Sequence, residues 1–222
     1  MADIAVYSGS FNPLHIGHLA IIRHLIEEAD YDMVYLIVSP KNPLKDGISS
    51  ASAADRYNAA IAAVIRNFAP KSEVAECVDD MPPPARGCLT GGKTGVVGTS
   101  ATSDFPKVLV DDIELTMPEP HYTIRTLDAL REREPENTFT LVMGADSLAD
   151  IRRWKDYSRI LSDFGVAVFP RKGHDIASIK ADVLKENPSY RITLLNADMV
   201  DISSTTIREA IASGDDPSAW LA

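Results

Sequence analysis

Apolar residues fall along this chain in two alternating rhythms: short unbroken runs, and longer stretches with apolar positions three and four apart. Ile4-Ala5-Val6-Tyr7 and the run over 33–38 are apolar almost throughout, as expected of parallel strands covered on both faces. Between them Leu19, Ile22, Leu25, Ile26 and Ala29 recur at helical spacing, with Arg23, Glu27 and Glu28 off that face, which predicts a helix over about 16–29. Tyr57, Ile61, Val64 and Ile65 predict a second helix over 53–68, with Arg56 near its start. Further on, the pattern predicts strands over 107–115, 138–143, 166–169 and 191–195. Helices are predicted over 123–134, after Gly144-Ala145-Asp146-Ser147 as far as Arg153, and over 157–161, 176–186 and 203–212. Strands alternating with helices of this length predict an α/β fold, a doubly wound parallel sheet, in which ligands bind beyond the carboxyl ends of the strands.

The rhythm fails over 69–105, where Pro82-Pro83-Pro84 and scattered glycines stand among Ser and Thr. The organisation expected is a single domain over 1–222 carrying an inserted loop at about 69–105. With 222 residues, 45% of them hydrophobic, the chain can bury a sizeable core. Its formal net charge of -10 argues against a general nucleic-acid binder, because nothing sequence-wide would release counterions from a phosphate backbone. Cys77 and Cys88 form no metal-ligand spacing, and a disulfide between them has no support from context. The N-terminus runs directly into a strand, and no apolar run reaches the length of a membrane span, so a cytoplasmic protein is expected.

Chemistry concentrates where the first strand ends. In Gly9-Ser10-Phe11-Asn12-Pro13-Leu14-His15-Ile16-Gly17-His18, small residues turn the chain, Pro13 fixes it, and a helix opens with His15 and His18 on one face. The unpaired N–H groups and partial positive charge of that helix N-terminus favour a phosphate, and both imidazoles can donate to its oxygens. A second anion site is expected at Asp201-Ile202-Ser203-Ser204-Thr205-Thr206-Ile207-Arg208, where hydroxyls open the last helix and Arg208 offers a planar fork of donors one turn in. Taken alone, this could be only a capped helix. Gly87-Cys88-Leu89-Thr90-Gly91-Gly92-Lys93-Thr94 spells a Walker P-loop, but a triple proline precedes it and glycines follow. Without the strand and helix that would aim its N–H groups, the match is read as chance. His24, His121 and His174 are given no role.

The first stretch resembles the G-x-F-x-P-x-H-x-G-H signature of the nucleotidyltransferase superfamily, and the second its I-S-S-T-x-I-R motif. Pro120-His121-Tyr122-Thr123, Gly144-Ala145-Asp146-Ser147 and Arg153-Trp154-Lys155-Asp156-Tyr157 follow in the order seen in bacterial nicotinate-nucleotide adenylyltransferases. The resemblance implies a Rossmann-like fold and transfer of AMP from ATP to nicotinate mononucleotide, a step in NAD biosynthesis. It implies His15, His18 and Arg208 as catalytic groups. Gly9, Ser10, Phe11, Gly17, Gly144, Asp146, Ile202, Ser203 and Ser204 would meet ATP, with Lys45, or Lys41, on its outer phosphates. Trp154 would stack on the pyridine, while Thr123 and N–H groups near Lys155 would meet its carboxylate. Mg2+ is expected with ATP, and self-association is left open. Nicotinamide mononucleotide or another phosphorylated acceptor is the nearest alternative. A nucleotide-binding regulatory module without turnover is the more distant one, and intact His15, His18 and Arg208 count against it.

Overall fold

The computed structural model describes residues 1–40, 52–68, 107–197 and 202–222. Lys41, Lys45, the P-loop-like segment, both cysteines, Asp201 and the inserted loop lie outside these residues. Six parallel strands form one sheet in the order β3-β2-β1-β4-β5-β6: β1 (Asp3–Gly9), β2 (Met33–Val38), β3 (Val108–Asp111), β4 (Thr138–Gly144), β5 (Val166–Phe169) and β6 (Ile192–Leu194). The order reverses between β1 and β4, whose carboxyl ends at Gly9 and Gly144 flank the crevice that a doubly wound sheet offers to ligands.

Alternation along the strands sorts the core into two layers. Ile4, Val6, Tyr35, Ile37, Leu141 and Met143 face one side, covered by α3 (Thr123–Arg133), α4 (Ala145–Ala149) and α5 (Ile176–Leu184). Ala5, Tyr7, Leu36, Val38 and Val142 face the other, covered by α1 (Ile16–Glu27) and α2 (Ala53–Phe68). The last helix, α6 (Ser204–Ser213), ends at Gly214 in the left-handed conformation that glycine accepts without a Cβ penalty.

Two predicted elements are shorter than their apolar patterns. The strand expected over 107–115 stops at Asp111, and Ile113–Thr116 is a helical turn. The Asp111 carboxylate accepts the Ile113 N–H at 2.9 Å and turns the chain out of the sheet, so Ile113 and Leu115 never alternate across a pleat. The helix expected up to Arg153 breaks at Asp150 into a 3-10 turn, Ile151–Arg153, and the short helix at Tyr157–Arg159 widens into a π turn, Ile160–Phe164.

Asp111 is fully buried and its charge is met by Arg133 at 2.6 Å from the end of α3. Removing one partner of such a pair leaves the other desolvated and unpaired. We expect Arg133→Leu to destabilise the chain by about 2 to 3 kcal/mol in urea unfolding, less than a fully buried pair would lose because the arginine is partly exposed. A loss under about 0.5 kcal/mol would show that water reaches Asp111 once the arginine is gone.

Candidate active site

The turn between β1 and α1 makes few ladder bonds of its own, and its carbonyls are satisfied from distant segments. The Gly9 carbonyl accepts the Ser39 N–H at 2.9 Å. That of Ser10 accepts the Arg56 guanidinium at 2.5 Å, and the same side chain reaches Ser39 at 2.8 Å and Pro40 at 2.9 Å. From α6, Arg208 donates to the Asn12 carbonyl at 2.6 Å and Ser204 Oγ to that of Pro13 at 3.0 Å. The N-termini of α1 and α6 are thereby brought together, although 191 residues separate Pro13 from Ser204. Gly17 sits in this contact: a Cβ there would lie 3.1 Å from the His15 ring and 3.2 Å from Ile202 Cγ2.

His15 caps α1 in extended conformation and His18 stands in its first turn. Their rings stack at 3.7 Å between centroids, and the Phe11 and His18 rings meet in a T-shaped pair with centroids 5.1 Å apart. The His15 N–H donates to His18 Nδ1 at 3.2 Å, so in the neutral imidazole the proton lies on Nε2, the ring donor left for a ligand. His15 Nδ1 is buried without a hydrogen-bond partner. Burial, helped by the Arg171 guanidinium, lowers the His15 pKa to about 4. Burial, then the neighbouring His15 and Arg171, holds His18 well below the usual imidazole range. Both rings are therefore neutral at pH 7, and a neighbouring anion would raise their pKa values. The C-terminal segment closes over the same turn, with Ile16 N–H on the Trp220 carbonyl at 3.0 Å and His15 bridged to Leu221.

Across the crevice, Gly144 caps α4, and a Cβ on it would overlap Asp146 Oδ1 and crowd Arg171 Cγ at 3.2 Å. Asp146 is exposed, with Arg171 Nε 3.8 Å away, and Arg171 lies over the Phe169 ring at 4.9 Å. Arg171 was not singled out from sequence. Its signal was position: it follows β5 by two residues, where loops leaving parallel strands line the ligand crevice. The hydroxyl of Ser203 accepts the Thr206 N–H at 3.1 Å as a helix cap. Arg208 spends donors on Asn12 and on Thr205 Oγ1 at 3.0 Å and keeps others of its five N–H groups.

Two of the three pyridine-site candidates, Trp154 and Lys155, line one depression. Trp154 ends the 3-10 turn, half-buried against the core, and lines a surface depression of about 550 Å³ with Tyr122, Lys155, Tyr157 and neighbouring arginines. Thr123 opens α3 beside Tyr122. The Trp154 N–H is already spent on the Ile151 carbonyl at 2.9 Å, and Lys155 Nζ lies 3.6 Å from Asp156.

A family model described as cytidylyltransferase-like matches residues 6–210. A relative from Flavobacterium johnsoniae, named "Probable nicotinate-nucleotide adenylyltransferase", is 32% identical over 95% of this chain and 87% of its own length. The chain belongs to this family, among the nicotinate-nucleotide adenylyltransferases. A relative of the same name from Bacteroides fragilis is 32% identical over 95% of this chain and 83% of its own. Among solved structures, nicotinic acid mononucleotide adenylyltransferase of Plasmodium falciparum, complexed with NaAD, superposes with a TM-score of 0.66 at 19% identity. It covers 97% of this chain and 87% of its own, which supports the fold.

The depressed histidine pKa values fix a sign for pH dependence. Unfolded imidazoles take up protons near pH 6.5, whereas folded His15 resists until about pH 4 and folded His18 also titrates well below its usual range, so the pair's contribution to stability, full above pH 6.5, falls as pH drops. We expect the melting temperature of the unliganded chain to fall more steeply between about pH 6.5 and 4.5 than that of the His15→Asn/His18→Asn variant. Parallel curves would mean that the rings are hydrated and titrate normally.

Proposed function

We infer that this protein joins the AMP of ATP to nicotinate mononucleotide, forming the deamido dinucleotide and releasing pyrophosphate. The observation that carries the reading is the meeting of the His15–His18 turn with the N-terminus of α6 at the carboxyl end of β1, in a chain whose relatives carry the name of that reaction over nearly its whole length. A phosphate oxygen of the acceptor attacks the α-phosphorus of ATP, a new P–O–P bridge forms, and the bond to the β-phosphate oxygen breaks so that pyrophosphate leaves. No covalent intermediate with the protein is needed. Positioning and neutralisation of phosphate charge supply the rate.

In this scheme His18 Nε2–H and His15 donate to the α-phosphate as charge builds there. The free N–H groups of Arg208 and the opening of α6 at Ser203 and Ser204 hold the departing pyrophosphate, and Lys45 or Lys41 is proposed to meet the outer phosphates. Gly9, Ser10, Phe11, Gly17 and Ile202 shape the phosphate turn. Gly144 and Asp146 take the adenosine, while Trp154, Thr123 and the backbone near Lys155 take the nicotinate ring and its carboxylate. The Mg2+ we propose arrives on the phosphates themselves, held mostly by their oxygens and by water. Its chemistry there is to offset triphosphate charge. We place the reaction in the cytoplasm, on small nucleotides rather than nucleic acid; no described helix is long and apolar enough to cross a membrane.

If His18 acts on the α-phosphate, His18→Ala should lower turnover roughly a hundredfold while nucleotide binding changes far less. Near-normal turnover, followed as pyrophosphate release, would remove histidine from the mechanism. The acceptor assignment has its own test. A pocket of N–H and hydroxyl donors favours a carboxylate over an amide by about 1 to 3 kcal/mol for each donor left unpaired. We expect kcat/KM for nicotinate mononucleotide to exceed that for nicotinamide mononucleotide by roughly tenfold to a hundredfold, and Thr123→Val to narrow the gap. Equal specificity constants would overturn the acceptor and leave the adenylyl transfer standing.

A further inference from the structure

Beyond the carboxyl ends of β2 and β3, to one side of the crevice, lies a buried polar junction that the reaction scheme does not use. Glu114, on the helical turn after β3, is only 3% exposed, and both of its oxygens are occupied. Ser39 Oγ donates to Oε2 at 2.5 Å and Thr126 Oγ1 donates to Oε1 at 2.8 Å. A carboxylate can only accept, so both hydroxyls are fixed as donors, and Ser8 Oγ, 3.2 Å from Ser39 Oγ, is left to donate in turn. Ser39 also binds the Gly9 carbonyl through its N–H, and its own carbonyl shares the Arg56 guanidinium with that of Ser10. Thr126 is buried in α3, one turn beyond Thr123. Glu114 is therefore the shared partner of the segment that braces the phosphate turn and of the helix that opens at the expected pyridine site.

Filling this space would not require a charge. An apolar side chain of similar volume would occupy it without the cost of desolvating a carboxylate, whereas a carboxylate gripping two hydroxyls imposes direction and distance. Resting on the substrate sites proposed above, we infer that Glu114 is a positioning residue that fixes the spacing between the phosphate turn and the N-terminus of α3, and with it the approach of the acceptor oxygen to the α-phosphorus. In-line transfer is steep in that spacing, since a misplacement of about 1 Å can cost roughly a hundredfold in rate. Each substrate is held by groups of its own half, so loosening the junction acts on kcat and leaves each KM nearly alone.

Steady-state AMP transfer by full-length variants tests this. Glu114→Ala should lower kcat by roughly a hundredfold with both KM values within about threefold of the unaltered chain. Glu114→Gln, which keeps its volume and one acceptor oxygen, should recover most of that loss. Thr126→Val should lower kcat by roughly tenfold and add nothing when combined with Glu114→Ala, because both break the same linkage. Thermal melts of each variant separate this from simple destabilisation. The inference is overturned by an unchanged kcat, by a loss that merely follows the folded fraction, by KM values that rise as kcat falls, or by Thr126 and Glu114 effects that multiply. Should Glu114→Ala fail to fold, Ser39→Ala and Thr126→Val each remove one contact and are held to the same criteria. Ratios are taken on whichever phosphorylated acceptor the unaltered chain turns over, so a wrong acceptor defeats the proposed substrate without hiding the result for Glu114. An unaltered chain that turns over none would defeat both.

Discussion

Backbone carbonyls of the turn after β1 have to be paired, and almost none of their donors are local. Ser39, Arg56, Arg208 and Ser204 each donate to a different carbonyl between Gly9 and Pro13, from the end of β2, from α2 and from α6. An unpaired buried carbonyl costs about as much as a lost hydrogen bond, so the turn reaches this shape only when three other parts of the chain have folded around it. The arrangement also spends the carbonyls inward, leaving the helix N-terminus with its partial positive charge as the turn's ligand-facing feature. The geometry of the turn and the global fold are therefore one constraint at this point, since its shape is held by donors from three distant parts of the chain.

Much of this was legible in sequence because it follows from periodicity. Strands with an apolar residue at every position have to lie between two helical layers, and Ile4 to Tyr7 and Met33 to Val38 do so. The histidine and serine-arginine segments were legible as helix openings, since Pro13, Gly17 and the Ser203-Ser204 pair each have a local physical reason to be there. The P-loop spelling was set aside on sequence alone, for the triple proline before it and the glycines after, and it lies outside the described residues.

What was illegible depends on contacts between segments far apart in the chain. Arg171 looks like one of many loop arginines until β5 sets it across the crevice from the histidine turn. Glu114 sat within a predicted strand, and only the capping of Ile113 by Asp111 turns it into the core where Ser39 and Thr126 can reach it. The same capping explains why the apolar pattern over 107–115 was read too long: alternation and a single helical turn cannot be told apart over so few residues. Ser203 shows the limit from the other side, because its hydroxyl accepts the Thr206 N–H as a helix cap, a role the sequence could not separate from phosphate binding.

The electrostatics of the histidine pair bear on how such a site avoids holding its substrate too well. A permanently charged pair would bind the triphosphate and the transition state alike, and uniform binding of that kind does not raise kcat. Buried beside Arg171 and stacked on each other, His15 and His18 are neutral before a nucleotide enters. Their attraction for a phosphate then grows with the negative charge that reaches it, since that charge raises the pKa of the rings it touches. In the proposed reaction the charge on the oxygens around the α-phosphorus is redistributed as one bond forms and another breaks, and a polarisable, initially neutral donor gains most at that moment. The fixed positive charge is carried instead by Arg171 and Arg208, anchored to an aromatic ring and to a backbone carbonyl. A chain with net charge -10 can thus present a local cationic rim to an anionic ligand while keeping its central donors uncharged until they are needed.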